Sequence, residues 1–508
     1  MMKKLAILDC KGNLELGYSV TLRIWSADRP TASPLLGQEG FLPGNSQLRK
    51  LYEEWVNSYE NNMKIAHQLT WLKEGDNPAS FAVKKRPTVK NISIENVEVE
   101  ATKAYNICQK AEHKLLENFN AWLKSTEFLI IPETLKQSLS SEKSEPHRIL
   151  IETNDFELRK MPWQKWNLLE SHNFTLTEIG LTSPNFQSTN IELLKTSQKL
   201  ASQDGVKILV VLGKDANIES IFEEFQEYQC DLTVVRNLPE LDVPLWEKSW
   251  DILIFNGHSK SQDNGKQGIF QLSDGNWLTI SDIKGHFRRA INHNLKLAIF
   301  NSCDGLGLAY QLAEGEDLHL PQIIVMRENL PVAIAPKFLQ YFLESYTQGL
   351  SLYSSLRESR QRLQILENDF PCVSWLPILC QNPAEIPPRW WELGGKIQRH
   401  PYKGLSAFTE KDTEIFFGRK VLINSLFSKV ERQNLVAVIG ASGSGKSSLV
   451  AAGLIPQWLA QATEFLPRFV LKIRPGFPHP NPWENLAEEL GKISPNLTAN
   501  NLAFLELV

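Results

Sequence analysis

Cysteine is scarce in this 508-residue sequence: six, at 10, 108, 230, 303, 372 and 380, with no CxxC pair and no cysteine–histidine spacing of a zinc site. That argues against a disulfide scaffold or a zinc module and reads as reduced thiols in the cytosol. Long apolar runs are also missing. No stretch approaches the ~18 residues of a membrane span, and the apolar run of MMKKLAILDC stops at Asp9, too short for a secretory leader. A cytoplasmic location is expected. Nor does one sign of charge dominate: 54 Lys and Arg face 58 Asp and Glu, a net charge of −4. No global pull toward nucleic acid or an anionic membrane follows, and no internal repeat or low-complexity tract is visible.

What is present is ordinary globular composition, 42% apolar and 22% charged, in a chain too long for one core, so roughly two to four domains are expected. From 1 to about 140, short strand-like pieces lead into two amphipathic helical patterns. Leu48, Leu51, Tyr52, Trp55, Val56, Tyr59 and Met63 carry one; Ile107, Ala111, Leu115, Phe119, Trp122 and Leu123 carry the other. Nothing there forms a chemical constellation, and an N-terminal α+β packing or partner domain is the expectation.

Between about 146 and 380 the texture changes. The runs RILIET (148–153), VKILVVLG (206–213), WDILIFNGH (250–258), LKLAIFNSC (295–303), QIIVM (322–326) and VSWLPILC (373–380) are apolar at successive positions. Such runs suit a mostly parallel sheet buried on both faces by helices, an α/β fold. Helical patterns at 217–229, 281–291, 336–347 and 351–366 alternate with them, and IFQLSDGNWLTI (269–280) reads as a hairpin around Asp274-Gly275. Residues 382–400, within a Pro-, Gly- and charge-rich stretch, read as a linker.

Two of these runs end in chemistry. Reacting groups gather at the carboxyl edge of a parallel sheet, and there WDILIFNGH delivers His258 while LKLAIFNSC delivers Cys303, 45 residues later. A free thiol near pKa ~8.5 is a poor nucleophile until a base takes its proton or a helix N-terminus favours the anion. His258 would be that base, Gly305 would let the chain turn sharply into a helix, and the amides of Cys303 and Ser259 would be the oxyanion donors. A lone cysteine near a strand is also commonly a small buried hydrophobe. Spacing alone leaves both readings open.

At these residues the sequence resembles a known family. WDILIFNGHSKSQDNGKQGIFQLSDGNWLTISDI, LKLAIFNSCDGLGLAYQLAEG, LPQIIVMRENLPVAIAPKF with the helical stretch after it, and the Pro-Trp block LRKMPWQKWNLLE (158–170) look like the CHAT domain over roughly 145–381. The resemblance implies a caspase-like fold, an endopeptidase acting on a protein substrate, Cys303 as nucleophile and His258 as general base. Ser259 stands where that family often has glycine, which makes the oxyanion geometry the less determined part. The Arg327-Glu328-Asn329 turn after QIIVM either lines a substrate pocket or is a solvated turn, and the second reading is favoured.

A third unit begins at 401. LVAVIGASGSGKSSLVAAGLI (435–455) reads as strand, phosphate loop and helix. Gly440, Ser442, Gly443, Ser444, Gly445 and Ser448 would cradle phosphates through the loop and helix start, Lys446 would reach the β and γ phosphates of ATP, and Ser447 would offer its hydroxyl to Mg²⁺. Upstream, PYKGLSAFTEKDTEIFFGRKVLINSLFSKV (401–430) resembles the opening of STAND-type NTPases. That resemblance implies nucleotide-driven self-assembly with an effector domain attached, as in bacterial signalling. Further strands, a second acidic strand end and a hydrolytic residue are not identifiable, so these residues support ATP binding and leave hydrolysis open. The reading as a regulated peptidase on a nucleotide switch stands against a catalytically silent caspase-like adaptor on an ATP-binding protein.

Overall fold

The computed structural model describes residues 4–25, 34–74, 94–139, 147–170, 174, 177–182, 205–214, 216, 230–313, 318–331 and 333–395. Of the remainder it describes 407–409, 412–413, 416, 418–441, 443–459, 470–471, 473 and 481. The expected helix at 217–229 lies outside these. The chain divides into two compact units, Met1–Gln398 and Arg399–Val508.

The first unit is α/β, built on a large mixed sheet. Its strands are β1 (Leu5–Asn13), β2 (Gly17–Trp25), β3 (Leu36–Pro43), β4 (Arg148–Glu152), β5 (Glu178–Thr182), β6 (Val206–Leu212), β7 (Cys230–Val235), β8 (Ile252–Gln262), β9 (Gln267–Gln271), β10 (Trp277–Thr279), β11 (Leu297–Ser302), β12 (Gln322–Met326) and β13 (Pro377–Gln381). The order across the sheet is β10-β9-β8-β11-β12-β13-β5-β4-β1-β2-β3, with β6 joining β8 to β7. Every residue of β4, β5, β11, β12 and β13 is buried. That is the consequence of apolar side chains on both faces: each finds helices to cover it, at ~1.5–3 kcal/mol per large side chain buried.

The helices are α1 (Ser46–Glu74), α2 (Ile94–Trp122), α3 (Ile130–Ser138), α4 (Phe156–Lys160), α5 (Leu238–Glu247), α6 (Lys284–Asn292), α7 (Leu306–Ala313), α8 (Ala335–Thr347) and α9 (Leu352–Gln364). The boundary expected at 140–145 runs through one sheet, because β1 pairs in parallel with β4 from Leu5 beside Arg148 to Asp9 beside Glu152. Helix α1 packs back on the same core, with the Trp55 and Trp375 rings 4.5 Å apart. Parallel pairing prevails in the middle of the sheet, but β12 and β13 are antiparallel there, as are β8 with β9, β9 with β10 and β1–β3 toward its edges. Burial on both faces leaves an apolar run silent about direction.

In the second unit Lys420–Arg432 forms a helix. Residues 435–440, expected as a strand, form none. Leu435 and Ile439 are 88% and 90% exposed, and no strand among the described residues pairs with this segment, so its backbone lacks the neighbour that a ladder requires.

Candidate active site

The site grows out of a strand that changes partners. The first half of β8 lies between β6 and β11, in parallel with both; its second half, from His258, pairs antiparallel with β9 instead. His258 sits at the junction. On the other side, β8 and β11 run in register up to Gly257 beside Ser302, so His258 and Cys303 are the next residues in line at the carboxyl edge. The face of His258 follows from the step before. Asn301 donates its side-chain amide to Asn256 Oδ1 at 2.9 Å; alternation along β8 returns His258 to that face, and Cys303 is the first residue past the end of β11.

The opposite face is occupied by hydroxyls. Ser259 is 1% exposed; its Oγ lies 2.7 Å from Ser302 Oγ and donates to the Cys303 carbonyl. A glycine there could make neither contact, which gives the side chain at 259 a structural task besides any use of its amide.

The turn after Cys303 is made differently from the sequence expectation. The residue in left-handed backbone is Asp304, with φ 33°, while Gly305 is demanded by close approach: a Cβ there would stand 2.9 Å from Val325 Cβ. The Gly305 amide donates to the Met326 carbonyl at 2.8 Å, and the Gly307 amide donates to Ser261 Oγ at 2.9 Å. Two amides at the start of α7 are therefore engaged within the protein and do not face a reacting carbonyl.

The thiol's surroundings are apolar and acidic. Cys303 is half-buried. Burial pushes its thiol up to about 11, the Leu330 amide opposes this, and the Asp304 and Glu328 carboxylates add to it. Burial also raises Asp304, against the pull of Ser261 and Lys160. Glu328 is pushed up to about 7 by burial and then by Asp304, with Lys160 and Tyr52 pulling the other way.

The turn at 327–329 is not a simply solvated one. Arg327 is fully buried, its Nη1 donates to the Trp375 carbonyl at 2.7 Å, and burial lowers it to about 9. The next two residues are held by α1: Tyr52 donates its hydroxyl to Glu328 at 2.9 Å and Tyr59 to the Asn329 carbonyl at 2.6 Å. Sequence reasoning placed Tyr52 and Tyr59 correctly on a core-facing stripe but gave no sign of what that stripe touches. It also passed over Ser261 and Asp304, although a serine two places after Ser259 on a strand was a usable signal.

A family model described as CHAT domain matches residues 126–403, more than half of the chain. This chain belongs to the CHAT-domain family. A second model, Novel STAND NTPase 1, matches 401–505, so a STAND module follows the CHAT domain. The Saccharomyces cerevisiae separase–securin complex is similar to 65% of this chain and 22% of the solved one, at 12% identity and a TM-score of 0.31. No curated protein matches.

In the STAND module, Gly443 and Gly445 take φ 76° and 84°, a backbone open to glycine, and Lys446 Nζ donates to the Gly440 and Ala441 carbonyls at 2.8 Å each. The loop thus wraps its own ammonium. Ser444 and Ser447 are exposed, and Ser442 lies outside the described residues. Ser448 is buried and its Oγ accepts from the Phe408 amide at 3.0 Å, so this hydroxyl ties the helix start to the segment upstream. Among the described residues, no helix is long and apolar enough to cross a membrane, and no group of three or more His, Cys, Asp or Glu is placed to hold a metal ion.

Proposed function

We propose that this CHAT-domain protein is a cytoplasmic cysteine endopeptidase governed by its STAND module. The observation that carries this is the register of β8 and β11, in which His258 and Cys303 follow directly on the Gly257–Ser302 pair. His258 would take the Cys303 proton as the sulfur attacks a peptide carbonyl. The Cys303 and Ser259 amides would receive the oxyanion, and His258 would return the proton to the leaving amine; water then frees the acyl group.

The raised thiol describes a resting centre. At neutral pH sulfur so shielded stays protonated, and work begins only when a rearrangement brings the imbalance between burial and base to an end. Regulation through the STAND module supplies a reason for one: Lys446 would exchange the loop carbonyls for the phosphates of ATP, Ser447 would reach Mg²⁺, and the bound nucleotide would supply charge that reorganises the loop and favours self-assembly.

The same shielding favours a second reading, a caspase-like adaptor that binds partners without cleaving them. A peptide carrying a thiol-reactive group separates the two. A peptidase labels in the wild type with nucleotide present, fails to label in Cys303→Ala and slows at least tenfold in His258→Ala. Absence of labelling with and without ATP, and in assembled and monomeric fractions alike, leaves the adaptor.

A further inference from the structure

Past its junction β8 keeps alternating, so Ser259 and Ser261 share one face and His258 the other. Each serine grips the turn that carries the sulfur. Ser259 holds Ser302 and the Cys303 carbonyl. Ser261 donates its hydroxyl hydrogen to Asp304 Oδ1 at 2.7 Å and accepts from Gly307 N at 2.9 Å, while its own amide donates to Asp304 Oδ2 at 3.1 Å. Asp304 is thereby clamped from two sides at a backbone angle that a non-glycine residue rarely adopts. The separation between sulfur and imidazole is consequently set by bonds in which neither takes part.

We propose that Ser261, acting through Asp304, is the positioning residue that fixes Cys303 at the level of His258. This rests on the reading of Cys303 and His258 as nucleophile and base. The clamp has one rigid side, since the strand bearing His258 also bears both serines. Its other side, the stretch 303–305 between β11 and α7, has no ladder of its own; the Gly305 amide on the Met326 carbonyl fixes its far end, and the serines fix the part that carries the sulfur. The titratable groups that act on the thiol are Asp304 from the turn and Glu328 from the loop after β12, with the thiol acting in turn on Tyr59 of α1 and Lys160 of α4 acting on both carboxylates, while His258 of β8 follows the Gly257–Ser302 pair.

The test is a cycle of peptide-resolved alkylation rates at Cys303 with iodoacetamide, as a function of pH, in the full chain with ATP and Mg²⁺ present. In the wild type, His258→Ala is expected to slow alkylation at neutral pH at least tenfold. In a Ser261→Ala background the same change should cost less than twofold, and Ser261→Thr, which keeps the hydroxyl, should restore the larger effect. Asp304→Gly removes the carboxylate while tolerating the turn's backbone, so it reports the same loss should Ser261→Ala fail to fold. Asp304→Asn removes the charge and keeps both links, its carbonyl oxygen accepting from the Ser261 amide and its NH2 donating to Ser261 Oγ: the His258 effect should survive while the alkylation midpoint moves to lower pH. If His258→Ala slows Ser261→Ala and Asp304→Gly as strongly as wild type, the positioning role is overturned and the peptidase reading stands. If His258→Ala changes nothing in the wild type, the peptidase reading itself falls, and this role with it.

Discussion

The hydroxyl of Tyr52, on the first helix of the chain, donates to the carboxylate of Glu328 at 2.9 Å, 276 residues downstream and next to the loop that borders Cys303. Burial holds Glu328 up at about 7 against an ordinary 4.5. The folded protein therefore binds this proton more tightly than the unfolded chain. Below about pH 4.5 both states are protonated and Glu328 contributes nothing; as pH rises from there to about 7 the unfolded carboxyl ionises first, and stability is lost until the folded one follows. Glu328→Gln still accepts from Tyr52 and removes the titration. The fall in Tm between pH 5 and pH 8 should narrow in the variant by ~2 °C. Parallel curves for wild type and variant would remove the basis for this shift.

Residues 1–140 and the CHAT domain should unfold together. Trp55 packs against Trp375 with the rings tilted by 37° and donates its indole N–H to Cys372 Sγ at 3.2 Å, while Trp375 donates to Glu112 of α2 at 2.9 Å. Trp55 and Trp375 are almost wholly buried. Trp55→Ala should cost ~3–5 kcal/mol, and it should lower the transition reported by strands of the CHAT domain, not only that of α1. Hydrogen exchange read at β4 and β11 checks this: protection that survives the substitution unchanged would make the N-terminal helices an independent unit.

A buried ion pair fixes α9 to β5. Arg360 Nη2 reaches both Glu178 oxygens, at 2.6 and 2.7 Å, and both residues are buried. Truncating one partner strands the other's charge in a dry site, so Arg360→Leu should cost ~3–5 kcal/mol, whereas replacing both partners by apolar residues of like volume should cost much less. Chemical denaturation of the two single variants and the double variant distinguishes a coupled pair from two independent contacts, for which the losses would add.

Much of this was legible in the sequence because burial leaves a simple trace. Each of VKILVVLG, WDILIFNGH, LKLAIFNSC and QIIVM became a strand, and the hairpin around Asp274-Gly275 joins β9 to β10. The end of β11 just before Cys303 was readable as well, since a polar residue closing an apolar run marks a sheet edge, but the end expected at His258 was not, because β8 runs on to Gln262. Partnership was not readable. That β8 would leave β11 at His258 to pair with β9, that β13 would run against β12, and that Tyr52 and Tyr59 would reach the 328–329 turn depend on contacts between residues far apart in the chain. No local periodicity records these. Likewise LVAVIG carries the apolar pattern of a strand but lacks, among the described residues, the neighbour that would make it one.

Nucleotide binding offers the last expectation. The Lys446 ammonium donates to two loop carbonyls, so ATP must offer it more than those two neutral acceptors do, and its phosphates bring negative charge to the exchange. ATP with Mg²⁺ should raise the melting transition of the full chain, as any ligand of the folded state does, by up to ~2.7 kcal/mol at a hundredfold excess over Kd. Lys446→Ala should abolish the shift, because it removes the ammonium that the phosphates would draw from the Gly440 and Ala441 carbonyls. Adenosine, which has no phosphate, should give no shift with either chain. A shift that survives in Lys446→Ala would place the nucleotide elsewhere, and one produced equally by adenosine would mean that the base, not the phosphate loop, dominates recognition.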